Sequence, residues 1–129
     1  MGKMIKALRV EPHKSPVPVE LEDELEALQD AVSIGAESRG SIEFVGIAEG
    51  VEILLNEEGK LIGLEPNRRL GCDILVGVFY VVGVNETGML INLTDEQMHH
   101  YAKVFAEPEE ISEEDMRRAA MMKYYFFSN

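Results

Sequence analysis

The feature that most constrains the fold of this chain is one long apolar segment, which runs from Asp73 to Val84. Valine, isoleucine, leucine and aromatic residues dominate it, and these residue types favour β-strands. Gly77 and Gly83 interrupt the segment, and it is well short of the ~20 apolar residues that cross a bilayer. We therefore predict that it is the central strand of a sheet.

Shorter strand-like runs lie on both sides of this segment. The predicted strands are Met4–Val10, Ser41–Ala48, Val51–Asn56, Leu61–Leu64 and Met89–Leu93. Val17 and Val19 flank Pro18 in a further extended piece, which is predicted to be an edge strand because proline donates no hydrogen bond to a neighbouring strand. Asn56 to Lys60 is typical of a turn, in which Gly59 is predicted to adopt a positive φ.

Three segments carry helix signals. Leu21 to Val32 has apolar residues at helical spacing and acidic residues elsewhere on its surface. Thr94 and Gln97 match a capping box, and Ser112 begins a second C-terminal helix. The order of elements predicts an α+β fold: a mixed or mainly antiparallel sheet of about five to six strands, an amphipathic helix after the first strand and two C-terminal helices.

A chain of this length can bury a core without disulfides, so we expect one domain over residues 1–129. Its predicted core is 4–105, and an acidic helical extension follows at 107–129. Cys72 is the single cysteine, which indicates a reducing compartment. Residues 1–6 carry charge but no apolar stretch follows them, so no signal peptide is predicted and the cytoplasm is the expected location.

The charge of the chain narrows the classes of partner. Asp and Glu number 24 against 12 Lys and Arg, which gives a formal net charge of −12. Affinity for nucleic acid comes mainly from basic side chains, so direct nucleic-acid binding is not expected. Attraction to an anionic membrane is also disfavoured. Two interpretations remain: the charge keeps the domain soluble, or it imitates a nucleic-acid backbone toward a protein with a basic groove.

The polar segment 56–71 is the strongest candidate for a binding site, because it concentrates polar residues between apolar strands. The predicted ligand-binding residues are Lys60, Asn67, Arg68 and Arg69. Guanidinium groups bind phosphate or carboxylate with two parallel hydrogen bonds. In the structural alternative, the arginines pair with Asp73 or Glu65, and Asn67 holds its own turn.

No catalytic or metal constellation is recognisable, so neither an enzyme nor a cofactor is predicted. His99 and His100 are adjacent, whereas helical zinc pairs are spaced i and i+4. Cys72 has no base nearby in the sequence, and a buried small residue is the expected role.

The last helix is apolar on more than one side. The predicted interface residues are Met121, Tyr124, Tyr125 and Phe127. Aromatic residues and methionine are enriched in interface cores. The helix either docks on its own sheet or forms a homo-oligomer contact.

Several short motifs, taken in order, resemble one known family. They are Leu8-Arg9-Val10-Glu11-Pro12, Asn56-Glu57-Glu58-Gly59-Lys60, Gly63-Leu64, Pro66-Asn67-Arg68, Asp73-Ile74, Gly77 and Leu93-Thr94-Asp95-Glu96-Gln97. The family comprises short domains of unknown function carried by phages and conjugative elements of Gram-positive bacteria. The resemblance implies a genetic setting and no reaction. It also implies that Asn67 and Arg68 come first among the site residues.

These observations lead to two functional hypotheses. The first is a non-catalytic protein that sequesters a small anionic ligand, such as a nucleotide signal, to counter host defence. The alternative is an acidic protein–protein antagonist that mimics DNA toward a host DNA-binding or restriction protein. An enzyme, such as a small hydrolase, has the least support.

Overall fold

The computed structural model describes residues 2–127, with side chains through residue 124. It confirms the α+β class, with eight strands and three helices in the described residues. In chain order the elements are β1 (Met4–Val10), β2 (Val17–Glu22), α1 (Leu25–Val32), β3 (Ile42–Ala48), β4 (Val51–Asn56), β5 (Pro66–Leu70), β6 (Asp73–Val76), β7 (Phe79–Val84), β8 (Leu90–Ile91), α2 (Asp95–Val104) and α3 (Glu113–Phe127).

Six strands form the main antiparallel sheet. The order across it is β2-β1-β7-β4-β3, and β8 pairs with the end of β7. β7 hydrogen-bonds to β1 on one side and to β4 on the other, so it lies at the centre as predicted. β2, which contains Pro18, is an edge strand, which confirms that prediction. β5 and β6 form a separate two-stranded sheet.

The long apolar segment is two strands, and the prediction of one continuous strand was wrong. The break falls at Gly77, whose φ of 71° lies outside the strand region. Its N–H donates to the Glu65 carbonyl at 2.7 Å. A Cβ at Gly77 would come within 2.8 Å of Leu64 Cδ1. Glycine is therefore required at this bend, which turns β6 away from the main sheet.

The polar segment also folds differently from the prediction. Leu61 to Gly63 belong to a turn, Leu64 lies outside any strand, and the strand follows at Pro66–Leu70. Gly59 does not have a positive φ, which instead occurs at Gly63. Gly59 is needed for space, because a Cβ there would come within 2.9 Å of Val76 Cγ2.

The first helix is shorter than predicted, since it begins at Leu25 and Leu21 belongs to β2. Glu24 caps it by accepting hydrogen bonds from the N–H groups of Glu26 and Ala27 at 3.3 and 3.2 Å. The capping box of α2 is confirmed: Thr94 Oγ1 accepts from the Gln97 N–H at 3.0 Å.

The main sheet is covered on both faces. α1 packs on one face over a cluster that includes Leu28, Val32 and Leu54. α2 and the β5–β6 sheet cover the other face, where the cluster includes Phe79 and Phe105. Within the described residues, α1, α2 and α3 all fall short of the length and hydrophobicity that a bilayer crossing needs.

Candidate functional site

Arg68, the first candidate of the polar segment, lies inside the protein. Its side chain has 0% exposure. The Nε and Nη2 groups donate to the Phe105 carbonyl at 3.2 and 3.0 Å, and Nη2 also donates to the Lys14 carbonyl at 2.6 Å. Nη1 donates to Asn67 Oδ1 at 2.7 Å and to the Asn67 carbonyl at 3.3 Å. A guanidinium has five N–H groups, and all of them therefore have an acceptor within the chain.

Asn67 is equally buried and completes the same arrangement. Its Nδ2 donates to the carbonyls of Val10 and Gly77 at 2.9 and 2.8 Å, while Oδ1 accepts from Arg68. We call the two residues the Asn67–Arg68 clasp. The clasp joins the end of β1, the β1–β2 loop, the bend at Gly77 and the C-terminus of α2.

The buried charge of Arg68 is stabilised by carbonyl dipoles. Phe105 is the C-cap of α2, so its carbonyl lies at the negative end of the helix dipole. Burial lowers the pKa of Arg68, and the charge of Glu109 opposes that shift. Arginine remains charged in proteins. The clasp is therefore a cation held by peptide carbonyls. The structural alternative considered from the sequence, an ion pair with Asp73 or Glu65, did not include this role.

The exposed cations of the polar segment are neutralised by the chain's own carboxylates. Lys60 pairs with Asp73. Arg69 pairs with Glu109 at 2.9 Å and with Asp115 at 3.1 Å, which connects β5 to α3. Burial raises the pKa of Asp73, but hydrogen bonds from Lys60 and the Ile74 N–H, with the nearby positive charges, outweigh it and lower the pKa.

The structure does not bring the four predicted ligand-binding residues together on one surface, and a ligand site there stays a prediction. Asn67 and Arg68 face inward, and the charges of Lys60 and Arg69 are already compensated. The geometry favours a structural role for all four residues. Arg69 is about half exposed, whereas a ligand could reach the Arg68 guanidinium only by displacing its carbonyl partners.

The clasp orders the wall of a cavity that we call the acidic cavity. It has a volume of about 700 Å³ and lies between the β1–β2 loop, the segment after α1, the 62–65 turn and the bend at Gly77. Three carboxylates and one ammonium line it: Glu11, Glu37, Glu65 and Lys14. Ile34, Ile62, Leu64 and Val78 supply its apolar surface. The arrangement suits a group with an apolar body and a positive end.

His13, at the edge of this cavity, has a φ of 65°, and it is the sole non-glycine residue with positive φ in the described chain. Such a conformation is uncommon for a residue with a side chain, although histidine adopts it more often than most residues do. Its Nε2 lies 2.7 Å from Glu65 Oε1. The Arg68 bond to the next carbonyl, that of Lys14, helps to hold the loop in this shape.

The contact between His13 and Glu65 affects the pKa of His13. The hydrogen bond to Glu65 and the charge of that carboxylate raise the pKa of His13 above its ordinary value of 6.5. A raised histidine pKa means that the contact is fully formed at lower pH and is lost as pH rises through the folded-state pKa. We expect an NMR titration to give His13 a lower pKa in Glu65→Gln than in the unchanged protein. Equal values in the two proteins would contradict this pairing.

A family model for a domain of unknown function (DUF3846) matches residues 5–106. The chain belongs to this family. The DUF3846 match includes the Asn67–Arg68 clasp and every residue that lines the acidic cavity, and α3 follows it. No curated protein and no solved structure matches the chain.

The residues proposed for an interface lie on α3, beyond the DUF3846 match. Met121 is 72% exposed and Tyr124 is 75% exposed, so this side of the helix is not buried against the domain's own sheet. The side chains of Tyr125 and Phe127 lie outside the described residues. A homo-oligomer contact at α3 stays a prediction.

The other reactive side chains do not form a site. Cys72 is exposed, so the expected burial was wrong. The His100 ring packs edge-on against Tyr101, with centroids 4.7 Å apart. In the part of the chain that the structure describes, no group of three His, Cys, Asp or Glu side chains could hold a metal ion.

Proposed function

We propose that this DUF3846 domain is a non-catalytic binding protein whose acidic surface captures a basic surface of another protein. One observation carries the proposal: three carboxylates line the acidic cavity, and Glu37 among them has no ion-pair partner among the described side chains, while the predicted positive residues are buried or already paired. A small anion would meet repulsion in the cavity, whereas a lysine or arginine side chain would meet attraction. The net charge of −12 acts in the same direction at longer range.

The charge around the cavity extends beyond its lining. Glu110 is close enough to act on the pKa of His13. Glu37 and Glu110 are exposed, and among the described side chains neither forms an ion pair. Unpaired carboxylates lose less by binding a new cation than carboxylates that must first leave a partner.

The nature of the partner follows from the genetic setting that the resemblance implies. In a phage or a conjugative element, an acidic protein would counter host defence by occupying the DNA-binding groove of a host DNA-binding or restriction protein. The carboxylates would take the place of DNA phosphates. This partner class is part of the proposal.

Competition with DNA tests the proposal. Labelled duplex DNA is bound to a restriction endonuclease or to a basic nucleoid protein, and the purified domain is titrated in while fluorescence anisotropy is followed. We expect the domain to displace DNA from at least one of these proteins. The affinity should fall roughly tenfold or more between low and physiological salt, because the attraction is electrostatic.

Two matched charge reversals locate the binding surface. Glu37→Lys, in the acidic cavity, should weaken the competition roughly tenfold. Glu20→Lys makes the same charge change on β2, outside the cavity, and should have a much smaller effect. Equal effects would mean that net charge alone acts. The proposal would be overturned in favour of a small anionic ligand if the domain displaced DNA from none of these proteins and a nucleotide raised its melting temperature.

A further inference from the structure

The two edges of the main sheet are not alike. β2 forms one edge and contains Pro18, which cannot donate to an added strand. β3 forms the other edge and contains no proline. Within the described residues no strand pairs with its outer side. Its sequence, IEFVGIA, is largely apolar, and its register is regular from Ile42 to Gly46, before a bulge.

The phase of the β3–β4 hydrogen bonds shows which groups of β3 face outward. The Glu57 N–H donates to the Ser41 carbonyl at 2.9 Å, just before β3 begins. In an antiparallel ladder, hydrogen-bonded pairs alternate with non-hydrogen-bonded pairs. Positions 43 and 45 therefore bond to β4, and the backbone groups of Ile42, Phe44 and Gly46 point to the open edge.

A cavity lined by apolar residues and two carboxylates adjoins this edge, and we call it the β3 groove. It has a volume of about 360 Å³ and lies on the α1 face of the sheet. Leu25, Phe44 and Met89 line it and are 58%, 38% and 57% exposed. Gly46 adds no side chain at the edge, and nothing lies within 4 Å of where its Cβ would be. A neighbouring strand could therefore place an apolar side chain in the β3 groove.

Acidic residues surround this apolar surface on both faces of the strand. Asp23 and Glu52 line the β3 groove itself. Glu43 is exposed and projects from the opposite face of β3, because successive side chains of a strand alternate. Among the described side chains none of the three forms an ion pair. A strand added to β3 would therefore meet apolar residues and carboxylates on both faces.

We propose that the outer edge of β3 and the β3 groove bind an extended segment of a basic partner protein as an added strand. Apolar side chains of that segment alternate with Lys or Arg, so that the apolar ones enter the groove beside Phe44 and the basic ones lie beside Glu43. This inference rests on the proposed function, since it assumes a basic partner, and it names a second surface of contact. Added strands gain affinity from backbone hydrogen bonds and specificity from alternate side chains.

A synthetic peptide tests the inference without the natural partner. The probe is a short, end-blocked peptide in which lysine alternates with valine. We expect it to shift the amide NMR signals of residues 42–46 and of Met89. N-methylation of the peptide amides that face β3 should weaken binding roughly tenfold, because it removes the donors but keeps the charges. Glu43→Lys should also weaken binding, and Glu20→Lys, the matched change on the other edge strand, should not.

Three outcomes would overturn strand addition. If the peptide shifts only signals of the acidic cavity, such as those of Glu37 and Glu65, the proposed function stands and the β3 site fails. If N-methylation has no effect, the contact is not through the backbone. If the peptide does not bind at all, the edge does not serve a basic partner. In each case the DNA-competition experiment tests the proposed function independently of the peptide result.

Discussion

Replacing Arg68 with methionine is expected to destabilise the domain by roughly 3–5 kcal/mol, because it leaves several buried acceptors without a donor and each costs about 1–3 kcal/mol. Methionine fills similar space but donates no hydrogen bond. The Phe105 carbonyl then loses both of its Arg68 bonds, and the Lys14 carbonyl and Asn67 Oδ1 lose one each. Buried acceptors without a donor account for the loss.

Urea unfolding followed by circular dichroism measures this change. Arg68→Lys serves as the matched control, because it keeps the charge but cannot reach all of the acceptors with one ammonium. We expect its stability to lie between those of the unchanged protein and Arg68→Met. A stable Arg68→Met domain, within about 1 kcal/mol of the unchanged protein, would contradict the clasp and restore Arg68 as a candidate ligand contact.

Replacing Phe79 with alanine is expected to cost roughly 3–5 kcal/mol as well, for a different reason. Phe79 is at the start of the central strand β7 and has 0% exposure. Its ring meets that of Phe105 edge to face, with centroids 5.1 Å apart and an interplanar angle of 75°. Alanine leaves a cavity under α2 and removes this aromatic contact. Phe79→Leu, which keeps most of the volume, should cost much less.

The same unfolding experiment tests whether the stability effects at Arg68 and Phe79 are coupled. Phe105 joins them, since its ring contacts Phe79 and its carbonyl accepts from Arg68. Residues that share a partner show interaction energies of about 0.5–3 kcal/mol. We expect the double variant of Phe79→Leu and Arg68→Lys to be non-additive by an amount in this range. Strict additivity would mean that Phe105 does not transmit the change.

Much of the fold could be predicted because the signals are local. The capping box at Thr94 depends on residues one turn apart, and Pro18 excludes a central strand wherever it lies. The hydrophobic pattern predicted the wrong element bounds where a segment fits more than one structure. Leu21 has the spacing of the first helix, but its pairing with Ile5 places it in β2. Asp73 to Val84 has continuous strand propensity, and the bend at Gly77 divides it because β6 pairs with β5.

The candidate site could not be predicted for a related reason. Arg68 and Arg69 look equivalent in the sequence, yet one is buried and the other is half-exposed. Strand alternation places their side chains on opposite faces of β5, and only the packing of α2 decides which face is covered. The acidic cavity collects Glu11, Glu37 and Glu65 from three separate segments. No spacing rule connects these residues.

The sequence by itself determined the α+β class, the central place of the second half of the apolar segment, the proline-containing edge and the acidic character. Each of these follows from composition or from neighbours within a few residues. Only the tertiary structure decided that Asn67 and Arg68 hold the fold and that three distant carboxylates line one cavity. Arg68 bonds to Lys14, 54 residues away, and to Phe105, 37 residues away. Such bonds form only after distant segments have packed, because the burial of a polar group depends on what covers it.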